Sequence, residues 1–68
     1  MFNRRRVTCT RSSLIDTLTP DEHRAVLVGV VAQRWADTKF TMIYATEDQA
    51  VRASRFLMNK DVPYVQRG

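Results

Sequence analysis

Histidine, cysteine and glycine are scarce in this chain of 68 residues, which has one His, one Cys and two Gly. A zinc site needs three or four His, Cys or carboxylate ligands. A catalytic Cys–His pair also needs an orienting group and oxyanion donors. With glycines only at 29 and 68, the chain cannot form a glycine-rich phosphate loop. We therefore expect no enzymatic activity, no metal and no cofactor.

Long apolar runs are also missing. None approaches the roughly 20 residues of a membrane span, and the basic start is not followed by the apolar segment of a signal peptide. The lone cysteine, Cys9, excludes the intramolecular disulfides on which small secreted domains normally depend. These absences predict a cytoplasmic protein that does not contact a membrane.

Acidic residues are absent from the first eleven positions, which contain Arg4, Arg5, Arg6 and Arg11. This segment therefore carries the entire net charge of +4, since positions 12–68 hold seven cations and seven acids. The planar guanidinium group suits phosphates and carboxylates. We interpret residues 1–11 as a basic, flexible arm and residues 12–68 as one small domain.

The C-terminal half has clear periodic patterns. "KFTMIYA" (39–45) alternates like a strand. "TEDQ" then forms a capping box in which Thr46 and Gln49 would cap each other's backbone N–H groups. The helix that follows, over 47–60, has one apolar side; its members are Ala50, Val51, Ala53, Phe56, Leu57 and Met58. The final strand, 62–67, is expected either to lie at a sheet edge or to begin at Pro63, because proline cannot donate a ladder hydrogen bond.

The region before residue 39 allows two interpretations. Thr19, Pro20 and Glu22 mark a helix start, but "VLVGVV" (26–31) favours a strand. We favour a hairpin made with strand 39–45; the alternative is one long helix over 20–36. The fold class is therefore α+β: a β-hairpin, then a helix and a short third strand, or alternatively helix-strand-helix-strand. Residues 12–18 are expected to form a short helix that docks Leu14, Ile15 and Leu18 on the core.

Candidate binding residues are arginines and aromatics. In a domain this small, Phe40, Tyr44 and Phe56 are expected to fill the core, which leaves Trp35 and Tyr64 as exposed anchors. Arg52 and Arg55 fall together on the side of the helix opposite its apolar residues. The complete set of predicted partner-binding residues is Arg4, Arg5, Arg6, Arg11, Trp35, Arg52, Arg55, Tyr64 and Arg67.

The stretch "FTMIYATEDQAVRASRF" resembles the middle of small phage early proteins that inhibit host RNA polymerase. In that family a strand ending in I-Y-A runs into a capped helix with paired alanines and then a short strand ending in arginines. The matching residues are Phe40, Ile43, Tyr44, Ala45, Thr46, Ala50, Ala53 and Arg67. The family is acidic overall, whereas this helix exposes Arg52 and Arg55. The resemblance implies a hairpin–helix–strand fold and a small binding protein that acts in the host cytoplasm.

Two functions are compatible with these features. The first is a non-enzymatic, phage-like inhibitor or adaptor that docks on the acidic surface of a larger host nucleic-acid-handling complex, such as RNA polymerase. The alternative is a small module that binds DNA or RNA, with the arginine arm on phosphates and exposed aromatics stacked on bases. The first is favoured by a charge-neutral body, because a dedicated nucleic-acid module usually carries its basic patch on the fold itself.

Overall fold

Four strands and three helices make up the chain in the computed structural model, which describes residues 4–67. In chain order the elements are β1 (Arg6–Thr10), α1 (Arg11–Thr17), α2 (Pro20–Val26), β2 (Val30–Trp35), β3 (Lys39–Tyr44), α3 (Glu47–Asn59) and β4 (Tyr64–Arg67). The α+β class and the succession of hairpin, helix and short strand are confirmed. One strand and two short helices, β1, α1 and α2, precede them.

The strands form one sheet in the order β2-β3-β1-β4, and every neighbouring pair is antiparallel. Strands β1 and β2 consequently run in the same direction with β3 between them. Strands β3 and β4 also run in the same direction, with β1 between them. The chain is thus two interleaved split β-α-β units. β4 lies at an edge of the sheet and begins directly after Pro63, in agreement with both alternatives for this strand.

Strand β1 corrects the interpretation of residues 1–11 as a flexible arm. Residues 6–10 form an inner strand, paired with β3 on one side and β4 on the other. The reason lies in the alternation of "RVTCT": Val7 and Cys9 are buried, whereas Arg6 is exposed. The run of arginines concealed this period-2 pattern. Residues 1–3 of the expected arm lie outside the described residues.

The hairpin of β2 and β3 forms as expected, so a single helix over 20–36 is wrong. The strand begins later than "VLVGVV" suggested, because α2 continues to Val26. Gly29 then turns the chain with φ +86°, a left-handed conformation that glycine adopts without steric cost. The turn after β2 is closed by the Ala36 N–H, which donates to the Lys39 carbonyl at 2.8 Å.

The helix starts follow the predicted caps with one difference. For α2, Thr19 and Glu22 form the reciprocal capping box at 3.0 and 3.2 Å. For α3, the Thr46 hydroxyl accepts from the Gln49 N–H at 3.2 Å. The reciprocal hydrogen bond, from the Thr46 N–H to the Gln49 side chain, is not made. The Gln49 Oε1 is instead buried without a hydrogen-bond partner among the described residues.

The core lies between the helices and one face of the sheet. Its buried apolar residues are Val7, Cys9, Leu14, Leu18, Val26, Phe40, Met42, Tyr44, Ala50, Ala53, Leu57 and Val62. Ile15 and Met58, both expected to pack inward, are instead exposed. The Tyr44 hydroxyl donates to the Val26 carbonyl at 2.6 Å and so ties β3 to the end of α2. Within residues 4–67, no helix is long and apolar enough to cross a bilayer.

Candidate functional site

The sheet has one covered face and one face without helices, and strand alternation assigns each side chain to one of them. Phe40, Met42 and Tyr44 of β3 are buried under the helices. Thr41 of β3 points the other way and lies opposite Thr8 of β1. We call this second surface the open face.

Four cations lie on the open face. They line a shallow depression of about 320 Å³ together with two threonines and two aliphatic residues. The lining residues are Arg6, Thr8, Arg34, Lys39, Thr41, Ile43, Val65 and Arg67. Within residues 4–67 none of the four strands contains an acidic residue, because the seven acids lie in the helices and in the turns. The charged residues that line this depression are therefore all basic.

The cations surround a polar centre. Arg6 of β1 lies directly opposite Arg67 of β4, whereas Arg34 lies on the outer strand β2 and Lys39 begins β3. Between them the hydroxyl oxygens of Thr8 and Thr41 are hydrogen bonded at 3.1 Å. Like charges placed opposite each other on two neighbouring strands repel and destabilise the isolated domain. A bound anion would reduce this repulsion.

The open face carries as many cations as the net charge of the protein. The chain has eleven cations and seven acids; with four cations on the open face, the other seven are balanced by the acids. In the described part of the chain the ion pairs are Arg24–Asp21 and Lys60–Glu22, and neither reaches the open face. The hydrogen bond from Lys60, supported by the Thr19 N–H, lowers the pKa of Glu22.

The predicted arginine cluster is only partly on this surface. Arg6 contributes to it, and Arg67 joins from the other end of the chain. Arg4 and Arg5 are exposed just ahead of β1, and Arg5 donates to the Ala45 carbonyl at 3.4 Å.

Sequence reasoning missed Arg34 and Lys39. The signal for Lys39 was present, because the alternation of "KFTMIY" puts it on the face opposite Phe40. Arg34 could not be assigned in the same way, because a bulge between Val30 and Ala32 shifts the register of β2.

The two expected aromatic anchors lie away from the open face. Trp35 is 44% exposed at the edge of the covered side, where its ring stacks on Phe40 at 3.9 Å between centroids. Arg11 lies over that ring at 5.2 Å. Tyr64 is half-buried and packs against the core, so its predicted exposure is wrong.

Arg52 and Arg55 lie on the outer side of α3, as predicted, and both are exposed. Because the opposite side of α3 packs on the covered face of the sheet, this pair points away from the open face. The structure thus separates six of the nine predicted binding residues into three places: the open face, the Trp35 edge and the outer side of α3. Arg4 and Arg5 lie ahead of β1, and Tyr64 packs against the core.

The chemistry of the described residues contains little that could hold a metal or act as a nucleophile. Among residues 4–67, no three His, Cys, Asp or Glu side chains gather at metal-binding distance. Burial on the covered face raises the pKa of Cys9 to about 11. Since the thiolate is the reactive form of cysteine, this thiol is inert near neutral pH.

No protein-family model, curated protein or solved structure matches this chain.

Proposed function

We propose that this protein binds nucleic acid through the phosphate backbone, using the open face of its sheet. The observation that carries the proposal is the placement of four cations without an acid on one surface of the fold. Positions 12–68 are neutral in sum, but their charges are unevenly distributed, because Arg34, Lys39 and Arg67 share the open face with Arg6. In three dimensions the basic patch lies on the fold, as is usual for nucleic-acid modules.

The dimensions of the patch suit a run of phosphates. From β2 to β4 there are three inter-strand spacings, about 14 Å in all. Arg6 pairs with Ile43, which lies four residues along β3 from Lys39, a separation of about 13 Å. Since phosphates on one strand of a duplex advance by about 3.4 Å along the axis, the patch spans about four of them.

The centre of the patch argues against recognition of bases by stacking. Sheets that bind single strands place aromatic rings on the central strands, whereas the open face has the Thr8–Thr41 hydroxyl pair there. Phe40 and Tyr44 are buried on the other side. Binding through phosphates alone carries little sequence information. We therefore expect similar affinity for unrelated sequences and a preference for duplexes, whose charge density is higher.

The salt dependence of binding tests this proposal. Fluorescence anisotropy with a labelled duplex of random sequence, and with the matching single strand, should be recorded between 50 and 300 mM NaCl. Four neutralised phosphates predict a slope of log K against log salt of about −3.6 on the duplex and about −2.8 on the single strand. Absence of binding to both probes at 50 mM NaCl would remove the proposal.

Single neutralisations locate the surface. Arg34→Gln and Lys39→Gln should each reduce the magnitude of the duplex slope by about 0.9, because each removes one phosphate contact. Arg24→Gln is the matched control: Arg24 is an exposed cation on α2, away from the open face, and its loss should leave the slope unchanged. An equal reduction in all three variants would show that only net charge matters and that the open face is not the site.

A second candidate function is the protein-binding inhibitor or adaptor, phage-like and directed at a host complex such as RNA polymerase. The outer side of α3 favours it, because Arg52 and Arg55 lie there beside Met58, which is 59% exposed. An apolar contact flanked by arginines is typical of interface anchors.

The double variant Arg52→Glu, Arg55→Glu tests this second candidate. It should retain its melting temperature within a few degrees. It should retain at least tenfold less of a host complex in a pull-down, which corresponds to about 1.4 kcal/mol. Retention equal to that of the wild type would exclude this side of α3 as the docking surface.

A further inference from the structure

The outer edge of β2 is unpaired in the described structure. β2 is the first strand in the order β2-β3-β1-β4 and has a neighbour on one side only. All its residues after Val30 are exposed. Such an edge presents free backbone N–H and C=O groups that can pair with another strand.

The hydrogen-bond pattern shows which residues present those groups. Ala36 donates to the Lys39 carbonyl, so residue 36 directs its backbone groups toward β3. Backbone direction alternates along an antiparallel strand. Gln33 and Trp35 therefore direct their N–H and C=O groups outward, away from β3.

The two edges of the sheet differ in their protection against pairing. β4 is four residues long, follows Pro63 and ends in Arg67, and prolines, charges and shortness are the usual protections of an edge. β2 has six residues and a single charge, Arg34. Its apolar side chains Val31 and Trp35 are 65% and 44% exposed. A bulge between Val30 and Ala32 gives β2 some protection at its start, but β2 is the longer and the more apolar of the two edges.

We propose that β2 pairs antiparallel with β2 of a second copy of this chain, with Gln33 on the two-fold axis. In this register Gln33 faces Gln33 of the second copy, and both direct their backbone groups outward toward each other. Counted from Gln33, Trp35 comes level with Val31 of the second copy, the residue at the bulge between Val30 and Ala32, and the symmetry repeats that contact. Aromatic–β-branched cross-strand pairs of this type are stabilising, and a two-fold contact of a surface with itself is the commonest form of oligomer.

The occupant is a second copy because the strand is complementary to itself. Gln33 and Trp35 belong to the covered side, since they pair with Met42 and Phe40. Residues that face each other across an antiparallel ladder share a face, so the helices of both copies lie on one side. The two open faces then join into one eight-stranded surface.

This pairing has one unfavourable feature that serves as a signature. Arg34 comes opposite Ala32 of the second copy, so the two Arg34 side chains are diagonal neighbours about 7–8 Å apart. Their repulsion is screened when the Debye length falls from about 10 Å at 0.1 M salt toward about 3 Å at 1 M. The dimer should therefore strengthen as salt rises.

Sedimentation equilibrium of the full chain, without nucleic acid, is the first test. Between 5 and 500 μM at 0.1 and 0.5 M NaCl, we expect a monomer–dimer equilibrium that shifts toward dimer at the higher salt. A monomer at every concentration would overturn the proposal and would leave the nucleic-acid proposal untouched, because that proposal is measured by anisotropy.

Two variant pairs then test the edge and its register. Gln33→Pro deletes an outward N–H without removing a bond to β3 and should give a monomer, whereas Gln33→Ala should stay dimeric. Val31→Lys should also give a monomer, whereas Val28→Lys, at a residue 66% exposed but outside the strand, should not. Circular dichroism melts verify that each variant is folded. Folded Gln33→Pro and Val31→Lys proteins that remain dimeric would overturn the proposal.

Discussion

Replacement of Gly29 by alanine tests the turn that connects α2 to β2. Gly29 has φ +86°, and a left-handed backbone costs an L-residue about 1–2 kcal/mol. A Cβ at this position would also lie 2.5 Å from Cδ of Gln49 and 2.7 Å from its Oε1 and Nε2, far inside the ordinary contact distance of about 3.5–4.0 Å.

The two effects can be separated because the obstructing group is a side chain. Moving Gln49 breaks no hydrogen bond of its Oε1, which has no partner in the described structure. An off-rotamer side chain costs about 0.5–1.5 kcal/mol. We therefore expect Gly29→Ala to lower the free energy of unfolding by about 2–3 kcal/mol, of a total of about 3–10 kcal/mol for a domain of this size.

Urea unfolding of four proteins measures this: wild type, Gly29→Ala, Gln49→Ala and the double variant. In the double variant the steric conflict is gone and only the backbone strain remains. The cycle should therefore show a favourable coupling of about 1 kcal/mol. Additive effects would refute the contact between the turn and α3, and a Gly29→Ala protein as stable as the wild type would refute the left-handed turn itself.

Three further predictions concern the core and the central strand. Leu57→Ala should lower the free energy of unfolding, measured with urea, by about 2–5 kcal/mol, because Leu57 is fully buried on α3. The control is Met58→Ala at the exposed neighbouring residue, which should change the free energy of unfolding by no more than about 0.5 kcal/mol. Stability should fall as pH rises above 9, because burial raises the pKa of Cys9 from 9.0 to about 11 and the unfolded chain therefore loses its proton first. The contribution of Cys9 to this loss should approach about 2–3 kcal/mol by pH 11; burial also raises the pKa of Tyr44, so a Cys9→Ala protein should keep a smaller decline, and an unchanged decline in urea titrations would contradict the role of Cys9. Deletion of residues 1–10 removes β1 from the middle of the sheet and should abolish cooperative thermal unfolding; a cooperative melt in the truncated protein would show that β1 is dispensable.

Elements with a strong local signal were predictable from the sequence. The cap at Thr46 and the apolar side of α3 indicated that helix to within one residue of its end at Asn59. The alternation of β3 placed Phe40 and Tyr44 in the core. Both elements could be predicted because the residues that determine them lie within a few positions of each other in the sequence. For α3 these are the residues of the helix cap, and for β3 they are the alternating buried side chains.

The candidate site was less predictable because its parts are distant in the chain. Arg6 and Arg67 are 61 positions apart in the sequence yet directly opposed across β1 and β4. A count of charges along the chain assigned the net charge of +4 to residues 1–11. The four cations of the open face, one from each strand, account for the same net charge equally well. A linear count cannot distinguish these two assignments, since it contains no information on strand pairing.

The sequence alone determined the class of the domain and the helix starts at Thr19 and Thr46, because each depends on local periodicity or on a local side-chain cap. It favoured the hairpin of β2 and β3 but left one helix over 20–36 open, and the structure decided between them. Only the tertiary structure decided that "RVTCT" is an inner strand, because its hydrogen bonds go to residues 39–43 and 64–67. That non-local pairing also decided which arginines share a surface. It gathered Arg6, Arg34, Lys39 and Arg67 on the open face and turned Trp35 and Tyr64 to the other side, since a strand directs successive side chains to opposite faces of its sheet.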